Sequence, residues 1–167
     1  MNSLRRLTWK GLTASGWMAL TACASRPAQV LSSNEFFRAG RLALQIASAP
    51  PQSLSAGFEL KSQQQSGELK LFNPFGGQLA ILQWEPGLAR LEQGGQTWQN
   101  KSLDALMIQL TGTTLPVISL IDWLQSRPTE SPGWVADLSR IQEGRLSVQN
   151  TPTSTQPAVS LRLILEP

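Results

Sequence analysis

The sequence predicts an α+β fold, a curved antiparallel sheet with two short helices packed on one side of it. Three observations carry this. Apolar and polar residues alternate in short runs between residues 41 and 99, with turn residues about every eight to twelve positions. The apolar period then lengthens to i, i+3, i+4 and i+7 between Leu103 and Leu124. Alternation returns over residues 145–149 and 159–165. Strands, then two helices, then strands is an α+β order.

The elements follow one by one. From Arg41, residues Leu42, Leu44 and Ile46 point one way and Arg41, Ala43 and Gln45 the other, which is a half-buried strand. Residues 58–61 form a short second candidate, and residues 67–72 alternate through Leu69 and Leu71. Residues 78–84 set Leu79 and Ile81 against Ala80, Leu82 and Trp84. Glu85-Pro86-Gly87 turns the chain into residues 88–92, and Gly94-Gly95 turns it again into residues 96–99. In the first helix Leu103, Leu106, Met107 and Leu110 share a face; Ser102 is its N-cap, Asp104 favours its positive start, and Gly112 stops it. The second begins at Pro116, where a missing amide proton costs nothing, and buries Val117, Leu120, Ile121 and Leu124; Pro128 ends it. Residues 150–158 are a polar loop rich in Thr, Ser and Pro.

The N-terminus carries a different message. Arg5, Arg6 and Lys10 precede a mostly apolar run over residues 11–20, the layout of a secretory signal and too short for a permanent span. It ends in Leu20-Thr21-Ala22-Cys23, which resembles a lipobox, with small residues before a cysteine whose thiolate forms a thioether. Residues 1–22 are therefore read as a lipoprotein signal peptide, and Cys23 as the lipidation site. Ala24, rather than Asp, follows it; by resemblance to the enterobacterial sorting rule this implies the outer membrane, with the body on its periplasmic face. Residues 23–33 form the lipidated cysteine and a tether, of which residues 24–33 reach at most about 33 Å. Residues 34–167 are read as a single domain.

Removing the signal changes the charge. The chain has 14 Lys and Arg against 11 Asp and Glu; three of the cations lie in the signal, leaving 11 of each sign. The remaining cations are scattered, so no basic patch for nucleic acid survives. Catalytic chemistry is scarce. Histidine is absent and Cys23 is the only cysteine, which removes His-dependent triads, thiolate catalysis, and His- or Cys-based metal sites. No phosphate-cradling loop is present. The acids sit mostly at turns and exposed positions. The expectation is a binding protein, not an enzyme, with no cofactor and no metal.

The most informative stretch is Phe72-Asn73-Pro74-Phe75-Gly76-Gly77. Asn-Pro and two glycines are turn chemistry between two strands, yet Phe75 stands at the centre. Either Phe75 folds back onto the core, or it is a hydrophobic tip that enters lipid or receives an acyl chain.

Taken in order, the lipobox, Phe37-Arg38-Ala39-Gly40-Arg41-Leu42, Gly67-Glu68-Leu69, Asn73-Pro74-Phe75-Gly76, Leu79-Ala80-Ile81-Leu82, Pro86-Gly87-Leu88-Ala89, Leu110-Thr111-Gly112, Leu115-Pro116-Val117 and Leu120-Ile121-Asp122-Trp123-Leu124 resemble the LolB family of outer-membrane lipoprotein receptors. The resemblance implies a curved, open antiparallel β half-barrel of the LolA/LolB kind, with short helices covering its mouth. It implies an apolar cavity that accepts acylated lipoproteins from a LolA-like periplasmic carrier and passes them to outer-membrane lipid. It also implies a membrane-insertion loop, here Asn73, Pro74, Phe75 and Gly76, with Phe75 where the family usually has leucine. The protein is expected to act as a monomer. Leu69, Leu71, Leu79, Ile81, Trp84, Trp98 and Trp123 are candidate cavity liners, although a packed core uses the same residue types.

The C-terminal part departs from the family's pattern. The nearest match to its Gly-Trp-x-Val-x-Tyr strand is taken as residues 143–148, without either aromatic, and the expectation is a sheet short by one strand. Two other functions stay open on sequence: a non-catalytic lipoprotein scaffold or degenerate paralogue with a filled core, and a hydrolase using paired carboxylates.

Overall fold

A computed structural model describes residues 35–154 and 156–167. The signal segment, Cys23 and the tether lie outside the described residues. Nine strands form one antiparallel sheet: β1 (Glu35–Ile46), β2 (Gln52–Gln63), β3 (Ser66–Phe72), β4 (Gln78–Glu85), β5 (Leu88–Gln93), β6 (Gln96–Asn100), β7 (Trp134–Asp137), β8 (Arg145–Asn150) and β9 (Val159–Leu165). Their order across the sheet is β6-β5-β4-β3-β2-β1-β9-β8-β7.

This order explains the architecture. Strands β6 and β7 are the two edges and do not pair with each other, so the sheet stays open. They are consecutive in the chain, joined only by helices α1 (Leu103–Thr111) and α2 (Val117–Leu124). A chain leaving one edge and returning to the other must cross a face, and the buried sides of both helices share one core with the sheet's inner face. The result is an open half-barrel with a helical cover.

Register decides which residues face inward. Partners across an antiparallel ladder share a face. The chain of partners Leu163, Leu42 and Ala56 therefore lies inside, as do Leu69, Leu82 and Leu91. Burial agrees, with Leu60, Leu146, Val148 and Leu163 at 2 % exposure or less. The outer face is polar. On it, Lys70 Nζ lies 3.0 Å from Glu68 Oε1, and Gln83 Nε2 donates to Glu68 Oε2 at 2.8 Å.

Helix α1 forms as its end signals require. The Ser102 hydroxyl accepts the Ala105 N–H at 3.1 Å, and Gly112 closes the helix at φ 73°, a left-handed conformation that a side chain would strain. Helix α2 starts after Pro116 but stops at Leu124, short of Pro128. Asp122 ends it: its carbonyl accepts from the Gln125 and Arg127 amides, and its carboxylate pairs with Arg127 and accepts from the Thr129 hydroxyl.

Three strands differ from the sequence reading. β1 starts at Glu35 and β2 at Gln52, because Ala, Ser and Gly positions such as Ala39, Ser53 and Gly57 blur the alternation without breaking the ladder. β7 lies in the stretch read as polar, and Gly133 directly before it makes a Gly-Trp pair with Trp134, whereas the expectation places the family's Gly-Trp strand at residues 143–148. With β7 in place, the C-terminal end carries three paired strands.

Candidate functional site

The inner face does not pack solid against the helices. Between them lies a cavity of about 530 Å³, inside the range of roughly 300–1,000 Å³ usual for small-molecule sites. Its walls come from Leu42 and Leu44 of β1, Leu54, Phe58 and Leu60 of β2, Leu69 and Leu71 of β3, Ala80 and Leu82 of β4, Leu91, Trp98, and Leu161 and Leu163 of β9. The helices close it with Met107, Leu110, Val117, Leu120 and Leu124, and Trp134 of β7 joins them. Among the described residues no charged side chain lines it; the polar ones are Gln52, Ser53, Gln93 and Thr111. The Thr111 hydroxyl is already engaged, with the Met107 carbonyl at 2.8 Å. Such a chamber rewards an apolar chain and penalises a charged group.

Of the seven residues singled out as liners, Leu69, Leu71 and Trp98 stand on the cavity wall. The other four do not, for separate reasons. Ile81 pairs with Lys70 and Glu92 and so points to the outer face. Leu79 is the extra residue where the β3–β4 register shifts between Leu71 and Phe72. Trp84 follows Ala80 and Leu82 on the inner row but lies past the cavity, packed over Gly67, where an added Cβ would come within 2.2 Å of the ring. Trp123 is buried in the core beside the cavity rather than on its wall, and its Nε1 donates to the Thr129 carbonyl at 2.8 Å. Much of the wall, above all Leu42, Leu44, Leu54 and Leu161, was not singled out. Face parity across the paired strands is the signal that finds it.

The loop between β3 and β4 stands apart. Phe75 is 97 % exposed, so it does not fold back onto the core. Its backbone is nonetheless fixed. Asn73 Oδ1 accepts the Phe75 and Gly77 amides, both at 2.9 Å; the Asn73 N–H donates to the Gly77 carbonyl at 2.8 Å, and Gly76 N–H to the Asn73 carbonyl at 3.0 Å. Pro74 leaves the loop one fewer rotatable φ. The four loop residues thus form one small platform that holds a phenyl ring in water.

Chemistry is sparse elsewhere. Among the described residues no cluster of acidic, histidine or cysteine side chains is arranged to hold a metal ion. Two carboxyls have shifted pKa values, and both lie outside the cavity. Burial alone would raise Glu68, but hydrogen bonds from Lys70 and Gln83 and the charges of Lys70 and Lys61 hold it below its ordinary value. Asp137 is held low by hydrogen bonds from the Ser139 hydroxyl and amide.

Comparison with known proteins agrees with the geometry. A family model described as "Outer membrane lipoprotein LolB" matches residues 34–157. The chain is similar to an outer-membrane lipoprotein LolB of Bordetella petrii, at 32% identity with 95% of each chain covered. It is similar to one of Bordetella pertussis at 32% identity, covering 72% of this chain and 73% of the relative. A third, from Cupriavidus pinatubonensis, is 30% identical over 88% of this chain and 72% of its own.

Proposed function

The chain belongs to the LolB family, and from that premise we propose that it is an outer-membrane lipoprotein receptor, which accepts acylated lipoproteins from a LolA-like periplasmic carrier and inserts them into the outer membrane. The observation that carries this reading is the uncharged apolar cavity of about 530 Å³ beneath the helices. A scaffold with a filled core would leave no such void, and the molecule has no use for one in mere tethering.

The mechanism needs no catalytic step, and we read the chain as a non-catalytic transfer protein. Each acyl methylene taken from water gains about 0.8 kcal/mol, so the chains must stay covered throughout. Transfer runs downhill if the cavity holds the chains less well than a bilayer does. The polar side chains Gln52, Ser53, Gln93 and Thr111 on the wall favour that order, since a bilayer interior offers acyl chains none. Phe75 supplies the membrane contact. Burying one phenylalanine contributes ~1.5–3 kcal/mol, enough for a brief encounter and too little for permanent attachment. The permanent anchor in this reading is Cys23, lipidated after removal of residues 1–22, with residues 24–33 as the tether on the periplasmic face. Asn73, Pro74 and Gly76 position the tip, and the protein works as a monomer.

The test mixes carrier loaded with a labelled lipoprotein with the receptor reconstituted in vesicles through Cys23. Wild type should take the label and pass it to lipid. Phe75→Glu should take it and retain it, because a carboxylate cannot enter the bilayer cheaply. A folded wild-type protein that takes no label would sink the receptor reading.

A further inference from the structure

The cavity has a direction. In an antiparallel sheet every hairpin places its turn at one of two ends, and the β3–β4 loop with Phe75 shares its end with the β1–β2, β5–β6 and β8–β9 connections. Away from that end, the inner residues Leu60, Trp84 and Ala89 are buried, at 2 %, 6 % and 0 % exposure. At the Phe75 end the β1–β9 side is sealed by Ile46 and Val159, which pair with each other and are 3 % and 2 % exposed. The β2–β5 side changes character. There the inner row of β2 runs out from Leu54 to Gln52, the partner of Ile46, and the inner row of β5 runs out from Leu91 to Gln93, the partner of Ala80. Both glutamines are exposed and both line the cavity. The strand order β5-β4-β3-β2 sets the Phe75 hairpin between them.

We propose that the cavity opens between Gln52 and Gln93, beside the Phe75 hairpin, and that these two carboxamides bind the ester and amide carbonyls at the head of an acylated cysteine while its chains fill the apolar chamber. This rests on the receptor reading above and names its head-group site. A carboxamide N–H donates to a carbonyl oxygen, and an uncharged donor suits a neutral ester. Diacyl phospholipids share the glyceryl esters but add a phosphate, for which the cavity lining, among the described residues, provides no cation. The site therefore favours the lipopeptide over the phospholipid. Its position explains how release is coupled to insertion: when Phe75 enters the bilayer, the mouth beside it meets the lipid surface.

The experiment uses the chain from Ala24 onward, which holds the nine strands and two helices of the described residues. Diphenylhexatriene, which has no polar head, reports on the chamber by fluorescence. A dipalmitoylglyceryl-cysteinyl peptide and a diacyl phosphatidylethanolamine compete for it. In the double variant Gln52→Leu/Gln93→Leu, the concentration of lipopeptide needed for half-displacement, taken relative to the probe's own dissociation constant in each protein, should rise roughly tenfold, two hydrogen bonds being lost. Wild type should prefer the lipopeptide, and the double variant should lose that preference. Unchanged lipopeptide competition, or an equal loss of probe and lipopeptide in a variant that melts like wild type, would overturn the head-group site. A wild type that takes up neither probe nor lipopeptide would instead overturn the receptor reading on which it rests.

Discussion

Asn73 Oδ1 accepts the backbone N–H of Phe75 at 2.9 Å, so the most exposed aromatic ring of the described residues rides on a backbone tied down by a side chain two residues earlier. The same oxygen accepts the Gly77 amide, which closes the loop on itself. A tip that inserts into lipid benefits from this, because a loop ordered beforehand loses less entropy on insertion.

Asn73→Ala should therefore slow transfer to lipid while leaving uptake from the carrier intact. The two lost hydrogen bonds are solvent-exposed, so the stability change should stay within about 1.5 kcal/mol. Phe75→Leu, which keeps an apolar tip, should transfer like wild type. Vesicle-transfer rates for the three proteins, beside their urea midpoints, check this. An Asn73→Ala protein with an unchanged release rate would show that loop order does not matter.

Gly67 and Trp84 make a second dependent pair. A Cβ at Gly67 would meet Trp84 Cζ2 at 2.2 Å, and the ring is buried, so it has little room to move. Gly67→Ala should cost roughly 1–3 kcal/mol, as overpacking does. Gly57→Ala is the contrast. Its Cβ would come no closer than 3.7 Å to Phe72, so stability should hold or rise slightly. Urea unfolding followed by tryptophan fluorescence separates the two outcomes.

Acid should weaken the fold partly through Glu68. Its folded pKa lies below the ordinary 4.5, since the bonds from Lys70 and Gln83 outweigh burial. A carboxyl with a lowered folded pKa contributes stability above its unfolded pKa and loses it as pH falls through the folded value. The protein should thus lose stability below about pH 4.5, and Glu68→Gln should flatten that loss without removing it. Asp137, also held low, remains in the variant. Urea midpoints at pH 6 and pH 3 give the comparison, and an equal fall in both proteins would exclude a Glu68 contribution.

How far the sequence could be read depended on the side chains. Helix α1 was legible to the residue, because Ser102 and Gly112 carry its boundaries in local chemistry. The hairpins from β3 to β6 were legible for the same reason, with Pro86-Gly87 and Gly94-Gly95 at their turns. The missed parts are those where tertiary pairing overrides local pattern. The start of β2 holds Ser53, Ser55 and Gly57, which signal nothing alone and gain strand geometry from β1. β7 is four residues long and exists through its ladder with β8. The end of α2 was assigned to Pro128, whereas a network around Asp122 stops it earlier, and no period reports a network. In the site, the Asn-Pro-Phe-Gly turn was legible as a turn. That Phe75 stays in water depends on what lies around it, which sequence does not give. The cavity was less legible still, because a void has no residue of its own.

Sheet parity gives the sharpest test of the cavity. Leu71 and Ile81 sit on neighbouring strands, but Leu71 faces the chamber while Ile81, the partner of Lys70, faces out. Leu71→Trp places a larger ring into existing space, so it should cost less than about 1.5 kcal/mol and reduce the uptake of a hydrocarbon probe severalfold. Ile81→Trp adds the same bulk to the outer face and should leave uptake unchanged. Equilibrium binding of diphenylhexatriene to the two variants decides the matter. If both bind like wild type, the probe sits elsewhere than in this chamber. If Ile81→Trp alone loses binding, the inner and outer faces of β4 have been assigned the wrong way round, and with them the cavity wall.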